Sequence, residues 1–278
     1  MRILFIGDIF GRPGRHLVSE HLRSLVEQHA VDLVVANAEN AAAGFGLTPQ
    51  LANDLLSLGI DVLTTGNHIW DKREIVEYFQ LAKDNFNENA RRVLRPANFP
   101  ASTPGWGWYE GRTRGGVPYA IVNLQGRTFM AANDDPFRVI EEVLKQITAK
   151  VILLDFHAEA TSEKMAMGWY LDGRVTAVLG THTHIPTADE RVLPKGTAYH
   201  TDVGMSGPYD SVIGVEKELV VHRFLTGLPV RWEPAKNDPH LCAVLIACDP
   251  ASGRATSIQR IILPPFGAPS ASQGEAAK

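Results

Sequence analysis

Short β-branched apolar runs alternate with helical patterns through the first two thirds of the chain, and this alternation narrows the fold more than any other feature. Strands separated by helices make βα units and a largely parallel sheet, so the fold class is α/β. The predicted strands cover residues 2–7, 32–36, 61–65, 119–124, 151–156 and 175–179. Several intervening helices announce their starts. Thr48-Pro49 supplies an N-cap and an N1 proline, Asp71 with Glu74 forms a box-like cap before Ile75, and Asp135-Pro136 precedes an amphipathic run. The first helix is expected over residues 14–29, burying Leu17, Val18, Leu22, Leu25 and Val26.

The last third changes character. Runs at 197–203, 218–224, 241–248 and 256–263 show strand propensity with turn residues between them, which predicts mostly antiparallel pairing. No linker divides the chain, so 278 residues read as one domain over 1–266 with two sheets and helices outside. Pro, Gly and Ser gather only in residues 267–278, a tail expected to be disordered.

Composition excludes some functions. Two cysteines, Cys242 and Cys248, provide neither a disulfide framework nor a cysteine zinc site, and they suit a reducing, cytoplasmic setting. Twenty-seven Lys and Arg against 31 Asp and Glu, without a basic stripe, argue against a dedicated surface for long nucleic acids. The apolar run before Asp8 is too short for a signal peptide, and no run reaches the roughly 18 apolar residues of a membrane span. Gly7, Gly11 and Gly14 miss the G-x-G-x-x-G spacing, and neither a Walker A sequence nor G-x-S-x-G occurs.

Chemistry is expected where strands end, because side chains converge at the carboxyl edge of an open α/β sheet. Five exits there carry donors: Gly7-Asp8, Ala38-Glu39-Asn40, Thr65-Gly66-Asn67-His68, Asp155-Phe156-His157 and Gly180-Thr181-His182-Thr183-His184. Singly, each has a bland reading. Asp8 serves equally as a turn former, His157 as a core histidine, and His182 with His184 as a solvated loop. Together, Asp, Glu, Asn and His form a set of oxygen and nitrogen donors suited to Mn, Fe or Zn. Two divalent ions about 3.5–4 Å apart, bridged by one acid, clamp a phosphoryl group and turn a bridging water into the nucleophile. Glu39 is the bridging candidate, with Asp8 on one ion and Asn67 on the other. His68 stands beside them to neutralise phosphoryl charge or protonate the leaving alcohol.

The order Asp, acid, Gly-Asn-His, His, Gly-x-His-x-His resembles the calcineurin-like metallophosphoesterases. The stretch Gly7-Asp8-Ile9-Phe10-Gly11-Arg12-Pro13-Gly14-Arg15, with Ala38-Glu39-Asn40, Arg95-Pro96-Ala97-Asn98, the segment from Asp155 to Lys164 and Asp202-Val203-Gly204-Met205, is similar to their YmdB-like branch. The resemblance implies a four-layer α/β/β/α sandwich with two mixed sheets, a homo-oligomer, and hydrolysis of small phosphodiesters such as 2',3'-cyclic nucleotides. It also implies two divalent or trivalent ions per chain, Fe or Mn, with Zn an alternative. Asp8 and His184 then hold the first ion, Glu39 bridges, and Asn67, His157 and His182 hold the second. The wider superfamily has Asp-x-His in its first motif, whereas Phe10 stands here in place of the imidazole, leaving water or Asn40 to complete the first ion. Substrate-binding residues are not legible. A nucleotide-binding regulatory scaffold and a phosphomonoesterase remain open beside the diesterase.

Overall fold

The structure, a computed structural model, describes residues 1–85 and 87–267. The expected tail lies outside these from residue 268 onward. In chain order the strands and helices are β1 (Arg2–Ile6), β2 (Asp8–Ile9), α1 (Gly11–His29), β3 (Leu33–Asn37), α2 (Pro49–Ser57), β4 (Val62–Thr64), α3 (Glu74–Asn85) and α4 (Glu88–Arg91). There follow β5 (Trp108–Arg112), β6 (Pro118–Gln125), α5 (Pro136–Leu144), β7 (Val151–His157), α6 (Thr161–Tyr170) and β8 (Ala177–Thr181). The chain continues through β9 (Arg191–Val192), β10 (Ala198–His200), β11 (Met205–Pro208), α7 (Lys217–Thr226), β12 (Pro239–Cys248) and β13 (Ala255–Leu263).

Two mixed sheets result. One runs β2-β11-β12-β1-β3-β4 with β13 on β12, and the other runs β5-β6-β7-β8-β10-β9. Strand period explains why they stack. In β1, Leu4 and Ile6 join one apolar core with the helix residues Leu17, Leu22 and Leu55. Ile3 and Phe5, pointing the other way, join a second core with Ile121, Leu153 and Leu179 of the opposite sheet. On that sheet's far face, Val122, Leu154 and Phe156 pack with Ile140 of α5 and Met167 of α6. Three cores between four layers make the α/β/β/α sandwich.

The layer between the sheets turns polar at its carboxyl end. Beyond Val35 comes Asn37, beyond Val62 comes Thr64, beyond Leu153 come Asp155 and His157, and beyond Leu179 comes Thr181, all on the face that packs sheet against sheet. The site grows from that end.

Several sequence expectations need correction. Residues 218–224, read as a strand, lie in helix α7. Among the described residues no strand pairs with this segment, and a helix satisfies its own backbone while Val221, Phe224 and Leu225 face outward. Gly227, at φ 70°, closes it in the left-handed conformation. Helix α1 begins at Gly11 rather than residue 14, because Pro13 in a first turn has no intrahelical N–H to lose. Asp71 does not cap α3; it closes a 3-10 turn over Ile69–Asp71 and its carboxylate meets His68. The last third is mostly antiparallel as expected, β12 pairing that way with β1, β11 and β13, and β9 with β10, while β10 runs parallel to β8 and β11 to β2. Thr48 and Asp135 cap their helices as read, each accepting from a backbone N–H. No helix among the described residues is long and apolar enough to cross a membrane.

Candidate metal centre

All seven metal-ligand candidates and His68 converge at the carboxyl ends of β1, β3, β4, β7 and β8. Around His157 Nε2 stand Glu39 Oε1, Asn67 Oδ1 and His182 Nδ1, each 3.0 Å away. The tautomer follows from the other ring nitrogen. Thr181 Oγ1 donates to Asp155 Oδ1 (2.7 Å), so it accepts from His157 Nδ1 (2.8 Å), and Nε2 is the ring atom that faces the cluster, where it takes up a proton or an ion. Asp155 is fixed in turn by Thr64 Oγ1 at 2.5 Å and Asn37 Nδ2 at 3.0 Å. Four buried polar groups therefore serve to aim one imidazole.

The second group surrounds His184. Its Nδ1 donates to the Ile213 carbonyl at 2.9 Å, so Nε2 faces Asn40 Nδ2 at 3.2 Å and Asp8 Oδ1 at 3.9 Å. Asp8 Oδ1 and Asn40 Oδ1 are both buried without a hydrogen-bond partner. Orphaned oxygens of this kind cost free energy unless a donor or cation meets them. Glu39 links the groups: Oε1 accepts from Asn40 Nδ2 (3.2 Å) and Oε2 from the His68 backbone N–H (3.1 Å).

Phe10 occupies a different role from the imidazole it replaces. Its ring meets His184 edge-on, with centroids 5.8 Å apart, and is seated between Gly44 and Gly214, where any Cβ would press into the ring. A Cβ at Gly66 would collide with the His157 ring and Glu39, so this position must be bare for the donors to converge.

Electrostatics match a site built for positive charge. Burial favours the neutral acid at Glu39, but the His157 charge and hydrogen bond outweigh it and hold Glu39 below the usual carboxylate range. Burial likewise opposes charge on His157, yet Glu39, Asp8 and Asp155 raise it above an ordinary imidazole. A proton and a metal ion compete for the same nitrogen. Burial, then the His157 charge, pushes His182 down to about 3, and burial also lowers His184, so both offer neutral nitrogen at physiological pH.

Sequence reading assigned no role to three supporting groups. Glu159 Oε2 lies 3.1 Å from His182 Nε2, forming a carboxylate–histidine pair behind the nitrogen that faces His157. Lys164 on α6, 1% exposed, donates to Asp202 Oδ2 at 2.8 Å, and the same oxygen accepts from Thr183 N (3.1 Å) and Oγ1 (2.7 Å). This pair clamps the turn between His182 and His184, whose φ angles of 99° and 68° are unfavourable for side chains with a Cβ. Away from the cluster, Trp106 packs on Phe79, and the Tyr109 hydroxyl donates to Glu88. His200 is structural, held by the Thr187 carbonyl at 2.9 Å.

Fold and donor arrangement define a metallophosphoesterase. Residues 4–261 match the family model described as YmdB-like protein, and the chain belongs to that family. It is 46% identical over 265 residues to a Bacillus subtilis (strain 168) protein named 2',3'-cyclic-nucleotide 2'-phosphodiesterase, covering 95% of this chain and 97% of that one. A Thermus thermophilus protein described as hypothetical superposes with TM-score 0.86 at 43% identity, over 94% of this chain and 98% of the other. A Mycoplasma pneumoniae structure described as a novel phosphatase also gives TM-score 0.86, at 33% identity over 94% and 92%.

Proposed function

We propose that the protein hydrolyses small phosphodiesters, 2',3'-cyclic nucleotides in particular, using two metal ions held in its strand-exit cluster. The observation that supports this most is the pair of donor sets sharing Glu39. Asp8 Oδ1, Asn40 Oδ1 and His184 Nε2 would hold one ion. Asn67 Oδ1, His157 Nε2 and His182 Nδ1 would hold the other. Mixed oxygen and nitrogen donors without sulfur suit Fe or Mn, and Zn fits the same set. When bound, such ions supply Lewis acidity toward phosphoryl oxygens and a nucleophilic water at neutral pH. The name of the Bacillus relative supports the cyclic-nucleotide assignment.

The chain's own residues supply positioning and proton transfer. His68 borders the cavity over the cluster, and its Nδ1 lies 2.8 Å from Asp71 Oδ2. Asp71 accepts a hydrogen bond from Nδ1 and orients the ring, which leaves Nε2 to protonate the departing ribose oxygen. Phe45, edge-on to His68 with centroids 5.1 Å apart, fixes the ring from its other side.

The primary test is metal content of protein purified without chelator, with hydrolysis of bis(p-nitrophenyl) phosphate, 2',3'-cyclic AMP and a phosphomonoester under one metal condition. Two ions per chain and preference for the diesters are expected. Metal-free protein that cannot be loaded, or a preference for the monoester, overturns the reading. His68→Ala should lower kcat by about 10²- to 10⁴-fold while metal content stays at the wild-type level. Glu159→Gln should weaken metal affinity by about 10- to 100-fold, measured by competition with a chromophoric chelator. Equal affinity in that variant excludes a role for Glu159 in tuning His182.

A further inference from the structure

The cavity over the cluster has a volume of about 600 Å³, within the range of small-molecule sites and more than one phosphate needs. Its lining is of two kinds. Glu39, Asn40, His68, His182 and His184 supply a polar lining, and Phe45, Ile213, Val215, Arg223, Phe224 and Trp232 supply an aromatic and apolar wall, Phe45 joining the two through its edge-on contact with His68.

That wall has surface without an internal packing partner. Phe224 is 84% exposed and Ile213 49% exposed, although both border a polar site. Arg223 lies over the Trp232 ring, 5.0 Å from its centroid, leaving a cation-backed aromatic surface in the wall. Ile213 adopts φ 48°, a costly conformation for a β-branched residue. The strain has a local reason: its carbonyl holds His184 Nδ1, so wall and donor cluster are set by the same turn.

We propose that this wall is the nucleobase subsite, on which the base of a nucleotide stacks while its phosphodiester occupies the polar side. This rests on the phosphodiesterase reading above. Aromatic faces and a guanidinium plane stack on any base, and this wall offers no side-chain amide to read a base edge. The subsite therefore selects nucleosides over base-free esters and accepts all four bases within severalfold.

Metal-loaded wild type and Phe224→Ala are compared on adenosine 2',3'-cyclic phosphate and on the base-free methyl riboside 2',3'-cyclic phosphate. Binding of adenosine 3'-monophosphate and ribose 3-phosphate is measured alongside by calorimetry. Wild type should favour the nucleotide, and Phe224→Ala should reduce that preference in kcat/KM by about tenfold, with a matching loss of affinity for adenosine 3'-monophosphate alone. Wild type with equal kcat/KM for both esters and equal affinity for both monophosphates overturns the subsite, as does a variant that weakens nucleotide and base-free ligand alike. Wild type that binds the nucleotide through Phe224 but cleaves neither ester sustains the subsite and overturns the hydrolytic reading.

Discussion

Replacing Asp8 by Asn and His157 by Ala together should abolish phosphodiester hydrolysis, lowering kcat/KM by about 10³-fold or more. His157 belongs to the donor set that meets Glu39 and Asp8 to the set around His184, so the double variant impairs both. Metal ions supply several kcal/mol of transition-state charge stabilisation, and each 1.4 kcal/mol or so is worth tenfold in rate. A thermal readout separates lost chemistry from lost fold. At a free metal concentration 100 times Kd, wild type should gain about 2.7 kcal/mol of stability per ion, and the double variant should gain almost none. In chelator the order differs for the single change. Asp8 is fully buried with Oδ1 unpartnered, and burial, joined by the Glu39, Asp202 and Asp155 charges, disfavours its ionisation more than the His157 charge favours it. Asp8→Asn alone should therefore unfold at the wild-type temperature or above it, the pattern of a residue kept for function at a cost in stability. A double variant hydrolysing at the wild-type rate would sink the two-ion reading.

Much of this was legible in the sequence, for a reason visible in the strands. Each apolar run predicted a strand, and each polar residue just beyond it predicted a donor at the sheet edge; Asp8, Glu39, Asn67, His157, His182 and His184 all meet there. The apolar run of β1 is buried on both faces, Leu4 and Ile6 toward the helices and Ile3 and Phe5 toward the other sheet. What stayed hidden had no local pattern. Strands β2 and β11 pair over only two residues from distant parts of the chain, too short to show any period. Helix α7 misled because Val220 and Val221 favour strands, whereas the packing that decides the matter buries Val220 alone on that helix. Glu159 carries no signal of its own in the sequence, because its role depends on where His182 Nε2 points. The cavity wall was equally hidden, because Phe45, Phe224 and Trp232 come together only in three dimensions.

Lys164→Met should be the most destabilising single change away from the metal ligands, costing about 3–5 kcal/mol in denaturant unfolding, because it strands the Asp202 carboxylate in the interior. Lys164 is 1% exposed and Asp202 fully buried, so water cannot replace the lost partner. Burial opposes ionisation of Asp202, but the Lys164 charge and hydrogen bond, with those from Thr183 and Gly204, hold it below the usual carboxylate range. A depressed folded value means that the stabilisation is whole above the unfolded value of about pH 4 and falls away as pH drops through the folded one. The gap between wild type and variant should accordingly be widest from neutral pH down to about 4 and close below it. The lesion also reaches the metal centre. Thr183 loses the fixed acceptor that holds His182 and His184 at left-handed φ, so metal affinity should fall by about 10- to 100-fold, as when an outer partner of a ligand is removed. If stability drops as expected while folded variant binds metal as tightly as wild type, the ion pair serves the fold alone. Weakened affinity, restored when Asp202 is also changed to Asn so that no stranded charge remains, shows instead that the cost to the site is the misplaced carboxylate and not the missing lysine.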